Sequence, residues 1–359
     1  MTWLFPLLFF LGILFWLPVR VEIDTPGQVY RLSWRYIFAS VCLLAIFLFT
    51  PAGACYEKRG RPAENEGIAE RPLLPQDILP PRLFTVVPRD IAIKAYFRFL
   101  KDLVAAYDTL VPYPLSEHLL VRTNPWIIDT LESTDYYRRK LRGDTLYTQP
   151  EAIVLHKGDT LFLPDSTRAF SLLERMRNTL IDVNIPEYRL RILEYGNTLY
   201  SFPVRVGKNR TQYLKTVGHA VDLRTRPGHG DVVRINRYPT FTDPVTGRKF
   251  THTKRDDHVL TLMPQIPWVE VELNGRRYGQ MIHPTTNPET LDRAYSNGCV
   301  GLGEADAWRF YYHAPLGTAV VFRYDLVVIG VAGDTVLLPD IYQWNKKSKT
   351  LNLVIRAVP

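Results

Sequence analysis

Residues 295–302 read YSNGCVGL and carry Cys299, one of only three cysteines in 359 residues. A thiol becomes a strong nucleophile once deprotonated. An adjacent imidazole either takes its proton or, as imidazolium, lowers its pKa. His283 is the candidate partner. It ends the strand-like segment WVEVELNGRRYGQMIH, and twelve residues (284–295) separate it from Ser296. Such a spacing rules out helical neighbours but lets a strand end and a returning loop face each other. Gly298 allows close backbone approach, so that the N–H groups of Gly298 and Cys299 point at a developing oxyanion. Ser296 orients the turn or a substrate group. A lone cysteine is more often a packed small hydrophobe. Here the other two, Cys42 and Cys55, belong to an apolar N-terminus, which leaves Cys299 without a disulfide partner in a chain that reads as exported.

The export reading comes from the first 55 residues. Trp3–Val19 and Tyr36–Ala54 are uncharged runs near the length of a bilayer-crossing helix. Arg20, Arg31 and Arg35 between them hold that loop in the cytoplasm and place everything after residue 55 outside. The second run also resembles a bacterial lipoprotein signal, with AGAC ending at Cys55 as the lipid-accepting residue, although Ala52 stands where leucine is usual. A two-helix anchor and a lipid anchor both stay open, and both export the same domain. Residues 56–75 are polar and read as a flexible linker. A net charge of +8 favours anionic partners. Nucleic acid is not expected, since the chain has no zinc-finger, helix-turn-helix or RNA-binding aromatic motif.

Several elements must position the Cys–His pair. Apolar spacing predicts a helix from about Pro88 to Leu110, and a second from Asn124 as N-cap, through Pro125, to Gly143. Residues 76–180 read as a helical and mixed region. EAIVLHKGDTLFLPD (151–165) and its near-echo DLVVIGVAGDTVLLPD (325–340) read as two similar hairpins, with a short helix over 168–177. Gly196-Asn197 and Asn274-Gly275 mark hairpin turns, and a helix is expected from about Gly303. His252 and His258 fit no common metal-ligand spacing and read as a polar loop, and His229 reads as a turn residue. Arg224 and Arg226 face an acidic peptide or water. Tyr278 and Met281 lie on the segment leading to His283, where core packing is the plainer role.

The stretch IHPTTNPETLDRAYSNGCVGLGEADAWRFYYHAPLGTAVVF (282–322) resembles the active-site region of the L,D-transpeptidases, or YkuD-type domains. That family's pattern is a His, a loop, then Ser/Thr-His-Gly-Cys, an apolar residue and Arg or Asn. Here His283 precedes Ser296, Asn297, Gly298, Cys299 and Val300, and FPVRVGK together with the Pro-Gly loop at 227–228 resembles the domain's opening. The resemblance implies a mainly β, YkuD-like β-sandwich over residues 181–325, with a helix after the nucleophile and a C-terminal β extension at 326–359. It implies Cys299 as nucleophile toward a peptidoglycan tetrapeptide stem and His283 as base, with Gly298, Ser296 and Asn297 supporting the intermediate. An amine of a second stem, a protein lysine, or water would resolve the acyl-enzyme. No metal or diffusible cofactor is expected, and carbapenem-type β-lactams would acylate the thiol. The implied setting is the bacterial cell envelope, with the enzyme exported and membrane-anchored. Three residues depart from the pattern: Asn297 replaces its His, Pro284 the Gly after the base, and Gly301 its Arg or Asn. They keep two alternatives open, a hydrolase using the same pair and a wall-binding protein with a degenerate site.

Overall fold

Alternation of buried and exposed side chains builds the central element, a mixed sheet of eight strands. In chain order these are β1 (Thr179–Asn184), β2 (Arg189–Glu194), β3 (Asn197–Pro203), β4 (Gly228–Asn236), β5 (Trp268–Leu273), β6 (Met281–Pro284), β7 (Val300–Leu302) and β8 (Ala319–Arg323). A computed structural model describes residues 83–144, 148–330 and 333–345, all within one compact unit. The two apolar N-terminal runs, Cys42, Cys55 and the linker lie outside the described residues. Among the described residues no helix is long and apolar enough to cross a membrane.

Across the sheet the order is β7-β6-β5-β4-β8-β1-β2-β3, with β6–β7 and β8–β1 parallel. The β2–β3 turn is centred on Tyr195 and Gly196, at φ 51 and 77, one residue earlier than expected. A two-residue turn of this hand needs positive φ at both positions, which fixes the register. The two edges of the sheet meet. The chain leaving β3 pairs Arg205 with Gly301 of β7, each N–H donating to the other's carbonyl at 2.9 Å. The expected mainly β fold is therefore one large sheet curled into a barrel-like form, with few open edges.

Among the described residues six α-helices accompany it: α1 (Ile93–Tyr107), α2 (Glu117–Thr123), α3 (Trp126–Glu132), α4 (Tyr136–Leu141), α5 (Ser166–Arg177) and α6 (Glu304–His313). Trp308, Phe310, Tyr311 and Tyr312 of α6 are all buried, as suits a helix surrounded by protein. Phe97 of α1 stacks on Trp308 at 6.0 Å, and the Tyr96 and Tyr312 hydroxyls bond at 2.7 Å. The helical region and the sheet thus share one core.

Two expectations fail locally. The single helix over 125–142 is broken into α3 and α4, because the Asp135 carboxylate accepts from Arg138 N–H and caps a new start. Asn124 is no N-cap; its side chain donates to Leu120 O and Phe162 O and accepts from Phe162 N–H. The 151–165 segment is not a hairpin. Ile153–Leu155 pairs with Ile91–Ala92, and Thr160–Phe162 pairs with Phe84–Val86. Gly158 N–H donates to Val87 O, so the upstream chain runs beside both three-residue strands and takes their ladder bonds. Its echo does fold as expected, Val327–Ile329 against Thr335–Leu337.

Candidate active site

The parallel pairing of β6 with β7 sets the geometry. Ile282 lies opposite Val300 and His283 opposite Gly301. Cys299, one residue before β7, is two positions from Gly301 and shares its face, so it is the diagonal neighbour of His283. With strands about 4.8 Å apart and about 3.3 Å per residue, the two α-carbons are roughly 8 Å apart, within mutual reach of the side chains. Both side chains are half-buried and line one cavity of about 1080 Å³.

His283 is held on two sides. His283 Nδ1 lies 2.8 Å from Pro284 O. A carbonyl only accepts, so Nδ1 carries the hydrogen and Nε2 keeps its lone pair. Trp268, at the start of β5, stacks on the ring at 4.3 Å and 21°. Burial pushes His283 down to about 4, and the Arg205 charge adds to the shift. The thiol moves the other way: burial raises Cys299, against weaker opposition from a Met281 backbone donor and Arg205. At neutral pH the pair rests as thiol and neutral imidazole. Of the two roles open to the histidine, proton acceptor is the one this environment favours.

The turn before Cys299 is tightly bonded. Gly298 has φ +115, a conformation that side chains with a Cβ rarely adopt. Ser296 Oγ donates to Cys299 O (2.6 Å) and accepts from Gly298 N–H (3.2 Å). Ser296 therefore orients the turn, and the Gly298 amide expected at an oxyanion is already committed inside it. Asn297 lines the cavity. Thr225 Oγ1 donates to Gly298 O (2.9 Å) and accepts from Gly207 N–H (2.8 Å). Tyr342 ties that bridge down, its hydroxyl donating to Gly207 O (2.8 Å) and accepting from Thr225 N–H (3.1 Å).

The loop between His283 and Cys299 is braced from the helical region. Asp256 accepts from Asn287 Nδ2 and from Glu289 N–H, both at 2.9 Å. Its own N–H donates to Tyr137 of α4 (3.0 Å), and Tyr136 of α4 donates to Asp257 (2.9 Å). Beside these, Arg255 forms a buried ion pair with Glu304 at the start of α6.

Other sequence candidates distribute unevenly. Tyr278 and Met281 line the cavity rather than the core. Arg226 lines it too, over the Tyr278 ring, whereas Arg224 is paired with Asp222 and packs on Trp344. His229 lies exposed on β4, and His252 and His258 sit in an exposed strand and turn. Sequence reading missed Arg205, Trp268 and Thr225. FPVRVGK contains Arg205, but nothing local marks its pairing with Gly301.

Residues 178–322 match the family described as YkuD, L,D-transpeptidase catalytic domain. No curated protein matches the chain. Among solved structures, an L,D-transpeptidase from Mycobacterium smegmatis is similar at 17% identity and a TM-score of 0.28, over 41% of this chain and 58% of that one. L,D-transpeptidase 3 from Mycobacterium tuberculosis, in complex with a faropenem-derived adduct, gives 16% and 0.27 over 41% and 60%. An L,D-transpeptidase from Xylanimonas cellulosilytica (its residues 123–326) gives 14% and 0.30 over 66% and 97%. The chain thus spans less than two thirds of the two mycobacterial chains. The family match thus covers residues 178–322, about two fifths of the chain.

Proposed function

We propose that this chain is an exported, envelope-anchored L,D-transpeptidase acting on peptidoglycan stem peptides. The observation that carries the reading is a neutral His283, oriented by Pro284 O, diagonal to the Cys299 thiol in one cavity. His283 Nε2 takes the thiol proton as Sγ attacks the carbonyl carbon of the donor stem. The tetrahedral intermediate collapses to a thioester, and the imidazolium returns the proton to the departing amine. An acceptor amine then attacks the thioester and the thiol is regenerated. The reaction draws on no group outside the protein's own side chains. Lys208, Arg226, Arg248 and Lys249 around the cavity suit an anionic peptide. Helix α4 braces the loop between His283 and Cys299 through Asp256, and residues 1–55 supply the anchor, as a membrane span or a lipid at Cys55.

Intact-mass analysis after incubation with a carbapenem tests the nucleophile. The full chain is expected to gain one adduct, and Cys299→Ala none. A folded wild-type protein that gains no adduct overturns the reading. Product analysis with purified stem peptides then separates transfer from hydrolysis: cross-linked or exchanged products mark a transferase, and shortened peptides alone mark a hydrolase.

A further inference from the structure

Gly301 occupies the position where the family resemblance expects Arg or Asn, and the structure gives a reason for the glycine. A Cβ placed there would lie 2.6 Å from Arg205 Nε and 2.8 Å from Arg205 Cγ. Two side chains cannot share that space. The slot beside His283 is filled by an arginine that enters from the opposite edge of the sheet, across the seam where Arg205 and Gly301 pair their backbones. Arg205 lines the cavity that holds Cys299 and His283, and also a smaller hollow of about 360 Å³ next to it.

Among the described residues no ion pair neutralises this charge. Arg205 Nη1 donates to Thr290 Oγ1 at 3.2 Å, while Nε is buried with no hydrogen-bond partner. Asp256 and Glu289 line the smaller hollow, yet among the described residues neither forms an ion pair with Arg205; Asp256 accepts instead from Asn287 and the Glu289 backbone. A guanidinium held out of water needs an acceptor, and a carboxylate matches its planar fork.

We infer that Arg205 is a substrate-binding residue, supplied across the sheet seam in place of a side chain at 301, and that it seats a carboxylate of the acyl donor beside Cys299. Glycine at 301 and arginine at 205 form one unit. The donor's identity rests on the proposed acyl transfer, whereas the anion site rests on the geometry alone. The same charge also favours the thiolate that Cys299 must become.

Alkylation of Cys299 in the full chain separates these points. Iodoacetate and iodoacetamide are of similar size, but only the first carries a carboxylate. The wild type is expected to favour iodoacetate relative to a free thiol. Arg205→Gln should lower the iodoacetate-to-iodoacetamide rate ratio by roughly tenfold, the scale of one charge-assisted hydrogen bond. Arg205→Lys should keep most of the ratio. In the double variant Arg205→Ala with Gly301→Arg, a guanidinium re-enters the slot from the other strand, and the ratio should return toward wild type. A purely structural role for Arg205 would change both rates together and would not be rescued. An unchanged ratio in Arg205→Gln, or a double variant no better than Arg205→Ala, overturns the inference while leaving Cys299 as nucleophile. A wild-type thiol inert to both reagents sinks the acyl-transfer reading, and this inference with it. Should Arg205→Gln fail to fold, the lysine and double variants give the same decision.

Discussion

Two arginines lie beside the loop that joins His283 to Cys299, Arg205 through Thr290 and Arg255 through its neighbour Asp256, and they are treated in opposite ways. Arg255 is enclosed, with its side chain and that of Glu304 each 2% exposed. It bonds Glu304 and donates to Thr261 Oγ1 (2.8 Å), and the Tyr136 ring lies 4.5 Å from its guanidinium. Among the described residues Arg205 forms no ion pair, bonds one hydroxyl and leaves Nε without a partner. A fully partnered buried charge holds structure together, whereas a partly unpartnered one facing a cavity is available to a ligand. The first joins the helical region, the 255–257 loop and α6. The second faces the thiol.

The largest expected difference is in stability. Glu304→Ala leaves Arg255 buried and unpaired, and should cost about 3–5 kcal/mol in urea unfolding. Arg205→Gln removes a charge that forms no ion pair among the described residues, and should cost less than about 1 kcal/mol or stabilise slightly. Equal losses in the two variants would erase the distinction between structural and ligand-facing arginines.

The pair at Arg255 also titrates. Burial pushes Glu304 up to about 7, against the pull of Arg255. A raised folded pKa means that the folded state binds more protons than the unfolded state between the two values. The stabilising contribution is full below the unfolded carboxyl value and is lost as pH rises through about 7. Glu304→Gln should remove that loss, so urea midpoints of the two proteins should diverge from pH 5 to pH 8. Parallel midpoints would show that Glu304 stays ionised throughout.

At the site the sign is opposite in its consequence for rate. His283 stays neutral until pH falls through about 4, and only the neutral ring accepts the thiol proton. The rate of carbapenem adduct formation should therefore hold on mild acidification and drop only in that low range. His283→Gln should be slow at neutral pH, since burial keeps the Cys299 thiol protonated there. A wild-type profile falling near the ordinary histidine value, 6.5, would mean that the ring is more solvated than its stack on Trp268 implies.

The same contrast explains what could be read in the sequence. The placement of Cys299 and His283 in one cavity, the Asn274-Gly275 turn and the start of α6 were legible because their signals are local: a rare thiol, a turn dipeptide, a glycine before a helix. The 151–165 hairpin was misread because its strands are only three residues long, and strands that short take whichever partner the fold brings, here residues 84–92. Arg205 was invisible as a site residue for a related reason. Its meaning depends on Gly301, nearly a hundred positions away, and on closure of the sheet, which no local pattern encodes. Gly301 looked like a loss until its neighbour across the seam was known.

The smallest effect should come from the network that fixes the nucleophile turn without touching a ligand. Tyr342 and Thr225 are buried and mutually satisfied, linking the C-terminal segment through Gly207 to the carbonyl of Gly298. Tyr342→Phe strands Thr225 N–H and Gly207 O, which should cost about 1–3 kcal/mol in unfolding. Thr225 keeps its hydroxyl bond to Gly298 in that variant, so the position of Cys299 should change little. The iodoacetate-to-iodoacetamide ratio should then match wild type even though stability has fallen. A ratio that moved with Tyr342 as it does with Arg205 would mean that anion preference follows from rigidity of the turn, and the two kinds of buried polar group would no longer be distinct.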